Sequence, residues 1–293
     1  MKENFIGKKR VVGLGEILWD IFPDGKRLGG APANFAFHAE RQGCAGVVVS
    51  AIGNDLPGDE IKAFLGEKKL PALLPRVPEP TGTVHVATDA DGVASYVFSE
   101  NCAWDNIPFS ADTEVIARET AAVCFGTLAQ RDPRSRSTIL RFLDSVPADA
   151  HRVFDVNLRQ HFFSREIISD SLARCSILKI NEDEAPVIAD FFNTDFCFRE
   201  VFFAALFAGF PSLKIVILTL GRAGSVVASR EGVRSSLFAD SGIRVVDTVG
   251  AGDAFTAGFV AALLRGESLD SAHRNAASLA GFVCARAGAM PER

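Results

Sequence analysis

Tyrosine occurs once and tryptophan and methionine twice each in a chain of 293 residues, so the aromatic part of any core rests on its 24 phenylalanines. With 48% hydrophobic residues the chain still has ample material for a large buried interior. It also lacks a basic stripe or base-stacking platform. Lys and Arg are scattered and the net charge is −5, which argues against a nucleic-acid surface and for a small-molecule partner. The six cysteines (Cys44, Cys102, Cys124, Cys175, Cys197, Cys284) form no C-x-x-C and have no histidines at ligand spacing. Neither a zinc site nor a disulfide framework is suggested, and buried, reduced thiols are expected. No apolar run approaches the roughly 20 residues of a membrane-spanning helix. The nearest imitation, Val201 to Phe210 followed by Ile215 to Leu220, is divided by Pro211 and Lys214 and reads as a buried helix feeding a core strand. No membrane partner is expected. The segment Met1 to Arg10 is polar and basic, without an apolar h-region, which predicts a cytoplasmic protein. Two nucleotide fingerprints are missing as well. There is no G-x-x-x-x-G-K-[ST], and Leu18 stands where a dinucleotide motif beginning Gly13-Leu14-Gly15 needs its third glycine.

What is present is a rhythm of short apolar runs: Arg10 to Leu14, Gly46 to Ile52, Ala121 to Gly126, Arg152 to Val156, Ile177 to Ile180 and Ile215 to Leu220. Runs without alternation suit strands buried on both faces of a parallel sheet. Asn34 to Arg41, Asp59 to Lys68, Arg134 to Leu143 and Ser169 to Arg174 suit crossover helices. The fold class is therefore α/β, a doubly wound, mainly parallel sheet. Residues 17–28 and 81–98 break the rhythm with alternation and with turn signals at Pro23-Asp24-Gly25 and Asp91-Gly92. They predict a small antiparallel β lid over a site at the carboxyl ends of the parallel strands, within a single domain spanning 1–293.

The heptapeptide Asp247-Thr248-Val249-Gly250-Ala251-Gly252-Asp253 carries the sharpest chemistry. Strand-like residues precede it (Ile243, Val245, Val246), and a helical pattern follows from Ala254 to Gly266. A helix N-terminus opened by residues almost without side chains offers unpaired N–H groups and the positive end of the dipole to an anion. Asp253 could then hold an acceptor hydroxyl and take its proton during phosphoryl transfer. The same residues also suit a plain N-cap and a chain turn. Gly29-Gly30-Ala31-Pro32-Ala33-Asn34 places a glycine pair before a second helix, with an amide at Asn34. Asp155-Val156-Asn157-Leu158-Arg159 ends a strand, where Arg159 could bridge phosphates. Asn181 and Glu184 have the spacing of a capping box, with Pro186 just beyond. Thr219-Leu220-Gly221-Arg222-Ala223-Gly224-Ser225 reads as a turn after another strand.

The run D-T-V-G-A-G-D-A-F-T-A-G-F resembles the C-terminal signature of the ribokinase-like (PfkB) sugar kinases, and Leu28 to Gly43 resembles the N-terminal one. With G-E-I-L-W-D (Gly15 to Asp20), the chain is most similar to the bacterial fructokinase branch, although His161-Phe162-Phe163 stands where that branch often has tryptophan. The resemblance implies an ATP-dependent sugar kinase using Mg2+. It assigns Asp20, Gly30 and Asn34 to the sugar, with Tyr96 and Phe98 of the lid closing above it. It makes Asp253 the base and the backbone N–H groups of Ala251 to Asp253, in the loop formed by Gly250, Ala251 and Gly252, the anion hole, and sets Arg159 near the transferred phosphate. Asn181 and Glu184 would organise Mg2+ through water, while Thr219, Gly221 and Gly224 would form the nucleotide loop and Ala285 to Ala289 the adenine side. Some members bind a monovalent cation such as K+ at the position of Asp247. Fructose going to fructose 6-phosphate is the first expectation and 2-keto-3-deoxygluconate the rival, because Arg159 could equally pair with a carboxylate. A catalytically silent sugar-binding regulator on the same fold is the reading from another class. An exposed lid edge could also pair with a second subunit as a homodimer.

Overall fold

The computed structural model describes residues 7–88, 94–237 and 242–292. The first apolar run forms β1 (Arg10–Leu14) and is followed by a hairpin, β2 (Leu18–Phe22) and β3 (Gly25–Gly29). Then come α1 (Ala31–Arg41), β4 (Ala45–Val49), β5 (Ile52–Gly53), α2 (Leu56–Glu67), β6 (Ala72–Leu73) and β7 (Arg76–Val77). A second hairpin, β8 (Gly82–Thr88) and β9 (Ala94–Phe98), leads into alternating units: α3 (Ala111–Arg118), β10 (Thr120–Phe125), α4 (Pro133–Ser145), β11 (His151–Asp155), α5 (Arg165–Arg174) and β12 (Ile177–Asn181). The chain continues through α6 (Glu184–Phe191), α7 (Arg199–Gly209), β13 (Ile215–Thr219), β14 (Ser225–Ser229), β15 (Gly232–Leu237), α8 (Ala251–Leu264) and α9 (Leu269–Cys284).

Among the described residues the main sheet has nine strands in the order β15-β14-β13-β12-β11-β10-β1-β4-β6. From β6 to β13 every pairing is parallel, and β14 and β15 add an antiparallel edge. The central strands are buried on both faces, as unalternated Val, Ile and Phe require. One cluster, containing Phe125, Phe142, Phe154, Phe202 and Ile180, fills one side of the sheet. Another, containing Phe35, Phe255 and Phe259, joins α1, α8 and α9 to the other side. Close helix packing has a local cause here: a Cβ on Gly13 of β1 would lie 1.9 Å from the Pro32 carbonyl oxygen, so only glycine lets α1 start so near the sheet.

The lid is a four-stranded sheet, β3-β2-β8-β9. It is not wholly antiparallel, because its two hairpins are joined through a parallel β2–β8 pairing (Leu18↔Gly82 to Ile21↔His85). The Pro23-Asp24 turn connects β2 to β3, while Asp91-Gly92 lies outside the described residues.

Several other expectations are corrected. Among the described residues, Ile243, Val245 and Val246 form no strand: Val245 and Val246 are exposed, and the N–H groups of Val246 and Asp247 bond the Cys284 carbonyl at 2.8 and 3.2 Å. The sheet edge is already taken by β14 and β15, so this apolar stretch lies along α9 instead, with Ile243 reaching toward Gly281. The C-terminal helix begins at Leu269, where Ser268 caps it by accepting from the Ser271 N–H. Cys44, Cys102, Cys124 and Cys175 are buried thiols, but Cys197 is exposed. The segment from Val201 does form a helix with Phe202, Phe203, Leu206 and Phe207 inward, although Val201 itself faces solvent. Among the described residues no helix is long and apolar enough to cross a membrane.

Between α9 and the antiparallel edge, the fully buried ring of His273 bridges Ser225 Oγ at 2.7 Å and Ser235 Oγ at 2.8 Å. Burial lowers its pKa from 6.5 to about 4. The unfolded chain therefore takes up this proton first, so the stability contribution is complete above pH 6.5 and is lost as pH falls toward 4. Urea unfolding is expected to show a loss of stability between pH 7 and 5, and the loss is expected to shrink in His273→Gln.

Candidate active site

The carboxyl ends of β1, β10, β11 and β12 meet the N-termini of α1 and α8 at one place, where open α/β sheets build sites. The α8 terminus is shaped by Gly250, which sits at φ 76° in the left-handed region. A Cβ there would approach Ala289 Cβ to 2.6 Å, so conformation and space both select glycine. The N–H of Ala251 turns back to the Thr248 carbonyl at 3.2 Å. Those of Gly252 and Asp253 have no partner among the described residues, so the anion hole expected over three N–H groups narrows to these two.

Asp253 and Asn34, 219 positions apart, are brought together directly: the Asn34 Nδ2 amide donates to Asp253 Oδ2 at 2.8 Å, and Asn34 Oδ1 has no hydrogen-bond partner. Burial, then the negative charge of Asp155, raise the Asp253 pKa to about 6, against the opposing pull of Asn34, Lys179 and Arg159. A carboxylate poised there is ionised at neutrality and basic enough to accept a proton.

Beneath the loop lies a pair that the motifs did not reveal. Lys179, inside the apolar strand β12, is buried and donates to Asp155 Oδ1 at 3.0 Å. Thr256 of α8 bridges Asp155 Oδ2 at 3.3 Å and the Gly252 carbonyl at 3.0 Å. A Cβ on Gly252 would lie 3.0 Å from Lys179 Nζ, so the ammonium sits directly under the glycine loop. Burial opposes its charge, but Asp155, Glu184 and Asp253 outweigh that and push its pKa to about 12. The signal available in sequence was a lysine in an otherwise apolar strand, a residue almost never buried unless paired.

At the lid side, Asp20 on β2 lies opposite Arg27 on β3, and a Cβ on Gly29 would meet its Oδ2 at 2.3 Å. Burial raises its pKa to about 6, with Arg159 and Arg27 opposing. Gly30 has φ 113°, and a Cβ there would lie 2.5 Å from the Glu16 carbonyl oxygen, so it lets α1 begin against the segment after β1. Arg159 is exposed on the loop after β11, within electrostatic reach of Asp20, Glu16 and Asp253. Phe98 is partly buried and meets the edge of the Phe162 ring at 5.8 Å, which ties the end of β9 to that loop. The backbone of Tyr96 pairs with Val86 in the lid, and its side chain lies outside the described residues.

Asn181 and Glu184 make the reciprocal bonds of a capping box: Asn181 Oδ1 accepts from the N–H groups of Asp183 and Glu184, both at 2.9 Å, and Glu184 Oε2 accepts from Asn181 N–H at 2.9 Å. Glu184 Oε1 also accepts from Leu158 N–H at 3.0 Å. The buried carboxyl thus fastens the β11 loop to α6. Pro186 falls in the first turn of α6, where its missing N–H costs nothing. Thr219 ends β13 facing Asn181 across the sheet, and Gly221 and Gly224, at φ 50° and 101°, shape the turn to β14. Asp247 holds two backbone N–H groups, those of Val249 at 3.0 Å and Gly288 at 2.9 Å, and so staples the glycine loop to the segment after α9.

Replacing Lys179 by Met leaves the surrounding carboxylates without their cation. Lys179→Met is expected to cost about 3–5 kcal/mol of stability. It is also expected to move the acid limb of any activity that depends on Asp253 to higher pH, because the cation holds the Asp253 proton affinity down. Chemical denaturation and a pH–rate profile measure the two effects.

Comparison with known proteins matches residues 23–292 to the pfkB family carbohydrate kinases. The chain is 30% identical over 252 residues to an ATP-dependent 6-phosphofructokinase of Thermoanaerobacterium thermosaccharolyticum, covering 83% of this chain and 74% of that one. It is 31% identical over 265 residues to a fructokinase of Klebsiella pneumoniae, covering 85% and 83%. An E. coli protein whose crystal structure contains ATP and Mg2+ has the same fold, with a TM-score of 0.81 at 21% identity over 97% of this chain and 94% of that one. With a family match over nearly its whole length and a sheet, lid and glycine loop of the ribokinase-like kind, the chain belongs to the pfkB family of carbohydrate kinases.

Proposed function

We propose that this kinase transfers the γ-phosphoryl group of ATP to a hydroxyl of fructose, giving fructose 6-phosphate, with Asp253 as the base. The observation that carries the mechanism is Asp253 at the opening of α8, hydrogen-bonded to Asn34 and beside two unpartnered N–H groups. The acceptor hydroxyl gives its proton to Asp253 as its oxygen attacks phosphorus, and the β–γ bridging oxygen leaves with ADP. Charge on the equatorial oxygens falls on the N–H groups of Gly252 and Asp253, on the α8 dipole and on Lys179 below, with Arg159 closing from the exposed side. Asp20, Gly30 and Asn34 hold the sugar in this reading, and Thr219, Gly221 and Gly224 border the nucleotide.

Mg2+ bound mainly by phosphates and water needs only one or two protein carboxylates. Glu184 suits that role, because each of its oxygens accepts one backbone N–H and keeps a further lone pair. When bound, the ion neutralises phosphate charge. A monovalent cation at Asp247 would likewise use the lone pairs left by Val249 and Gly288. The exposed Val97 on the edge strand β9 supports pairing of the lid with a second copy.

The fructose assignment draws on Gly15 to Asp20 and Leu28 to Asn34 and on the fructokinase relative. 2-Keto-3-deoxygluconate is the second reading, favoured by the two arginines, Arg27 and Arg159, that reach Asp20 electrostatically. Coupled ADP release with Mg-ATP, run against fructose, 2-keto-3-deoxygluconate, ribose, adenosine and fructose 6-phosphate, is expected to single out fructose, and preferential turnover of another acceptor overturns the assignment. Asp253→Asn is expected to lower kcat by about 10²–10⁴-fold with the fold intact. In the wild type, kcat is expected to fall about tenfold per pH unit below about 6, as Asp253 takes up its proton. A flat acid limb would remove Asp253 from the role of base.

A further inference from the structure

Arg131 lies between β10 and α4, and its side chain is 8% exposed. No role assigned so far uses it. Its guanidinium meets the buried carboxylate of Asp105 in a bidentate pair, Nε to Oδ1 and Nη2 to Oδ2, both at 2.8 Å. Nη2 also donates to the Ser99 carbonyl at 2.5 Å. The Cζ atom lies 3.9 Å from the centre of the Trp104 ring and 4.7 Å from that of Phe162. These partners belong to two different walls of the site. Ser99 directly follows Phe98 at the end of β9 and exchanges two bonds with Thr83 of β8: its N–H donates to the Thr83 carbonyl and its Oγ accepts from the Thr83 N–H, both at 2.9 Å. Trp104 presses on the first residue of β8, where a Cβ on Gly82 would lie 2.3 Å from the indole Nε1. Phe162 belongs to the loop after β11, where its N–H closes a turn on the Arg159 carbonyl at 3.0 Å and its ring meets Phe98. One buried side chain thus ties the base of the second lid hairpin to the turn that carries Arg159.

A buried ion pair is a poor device for stability alone, since apolar side chains of similar volume often serve as well or better. Here the pair also leaves the buried Arg131 Nη1 without a hydrogen-bond partner among the described residues. What a planar guanidinium adds is direction: its fork is fixed by a carboxylate while aromatic rings pack against it, which a lysine or an apolar residue cannot reproduce. We propose that Arg131 is a positioning residue for the sugar side of the site: through Ser99 and Phe162 it holds Phe98 of the lid and the Arg159 turn at one fixed separation. Arg131 touches neither substrate in this arrangement and acts only through these neighbours. The assignment rests on the kinase reading of the Asp253 site, and it holds for whichever sugar is turned over.

The test is steady-state kinetics of wild type, Arg131→Lys and Arg131→Met, with the preferred sugar and ATP varied in turn. Both variants are expected to raise the KM for the sugar about 10- to 100-fold, the scale of a small misplacement of binding groups. The KM for ATP is expected to stay within about threefold, because the nucleotide loop lies on other strands. A merely structural loss lowers the active fraction, and so kcat, while leaving both KM values unchanged. Arg131→Lys keeps a cation beside Asp105, so the comparison survives if the Met variant folds poorly. Phe162→Leu is expected to raise the sugar KM as well, and to add less than about twofold when combined with Arg131→Lys, since the two residues act as one unit. A folded Arg131→Lys with a sugar KM within about twofold of wild type overturns the assignment and leaves the kinase reading intact. A wild type that turns over no sugar overturns both.

Discussion

One buried lysine holds the site together. Asp155, Glu184 and Asp253 all act on Lys179, and without its charge the carboxyl ends of β11 and β12 and the start of α8 would set three carboxylates against one another in a poorly hydrated space. Lys179 is fixed by its place in a strand whose other residues are apolar, and Asp155 by the last position of the neighbouring parallel strand. The pair therefore depends on sheet register more than on any flexible loop. Above it the backbone of Gly252 passes close to the ammonium, so the positive charge is delivered to the anion loop without a side chain in between.

This arrangement explains how Asp253 can be half-buried and still ready to accept a proton. Burial and Asp155 raise its proton affinity, Asn34 and Lys179 lower it, and the balance leaves it near 6, ionised at neutrality but not inert. Asn34 reaches Asp253 only because α1 is packed against β1 at Gly13 and Gly30, where any side chain would collide with backbone. The glycines of the N-terminal segment act at a distance in this way: they set the helix position, and the helix sets the amide that meets the base.

The rest of the site is fastened by carboxylates that hold backbone. Asp247 ties the glycine loop to the segment after α9, and Glu184 ties the β11 loop to α6. Each uses both oxygens on N–H groups, so residues that read as ligands are also the staples that keep the loops in place. Preorganisation of this kind is what electrostatic stabilisation of a phosphoryl-transfer transition state requires.

The sequence by itself determined the parallel core, since runs without alternation can only be buried on two faces, and it determined the glycine loop with Asp253, since small residues before a helix leave its N–H groups open. Local pattern also marked both lid hairpins and the Asn181–Glu184 box. Only the tertiary structure decided the rest. It turned the apolar stretch before the loop into a segment lying on α9, because the antiparallel strands β14 and β15 already occupy the sheet edge. It joined the two hairpins through a parallel pair, because long-range strand order is not written in turn residues. It also set Lys179 into the site. That residue stands alone in an apolar strand, and only the folding of distant strand ends to one point gives a buried charge its partners and its use.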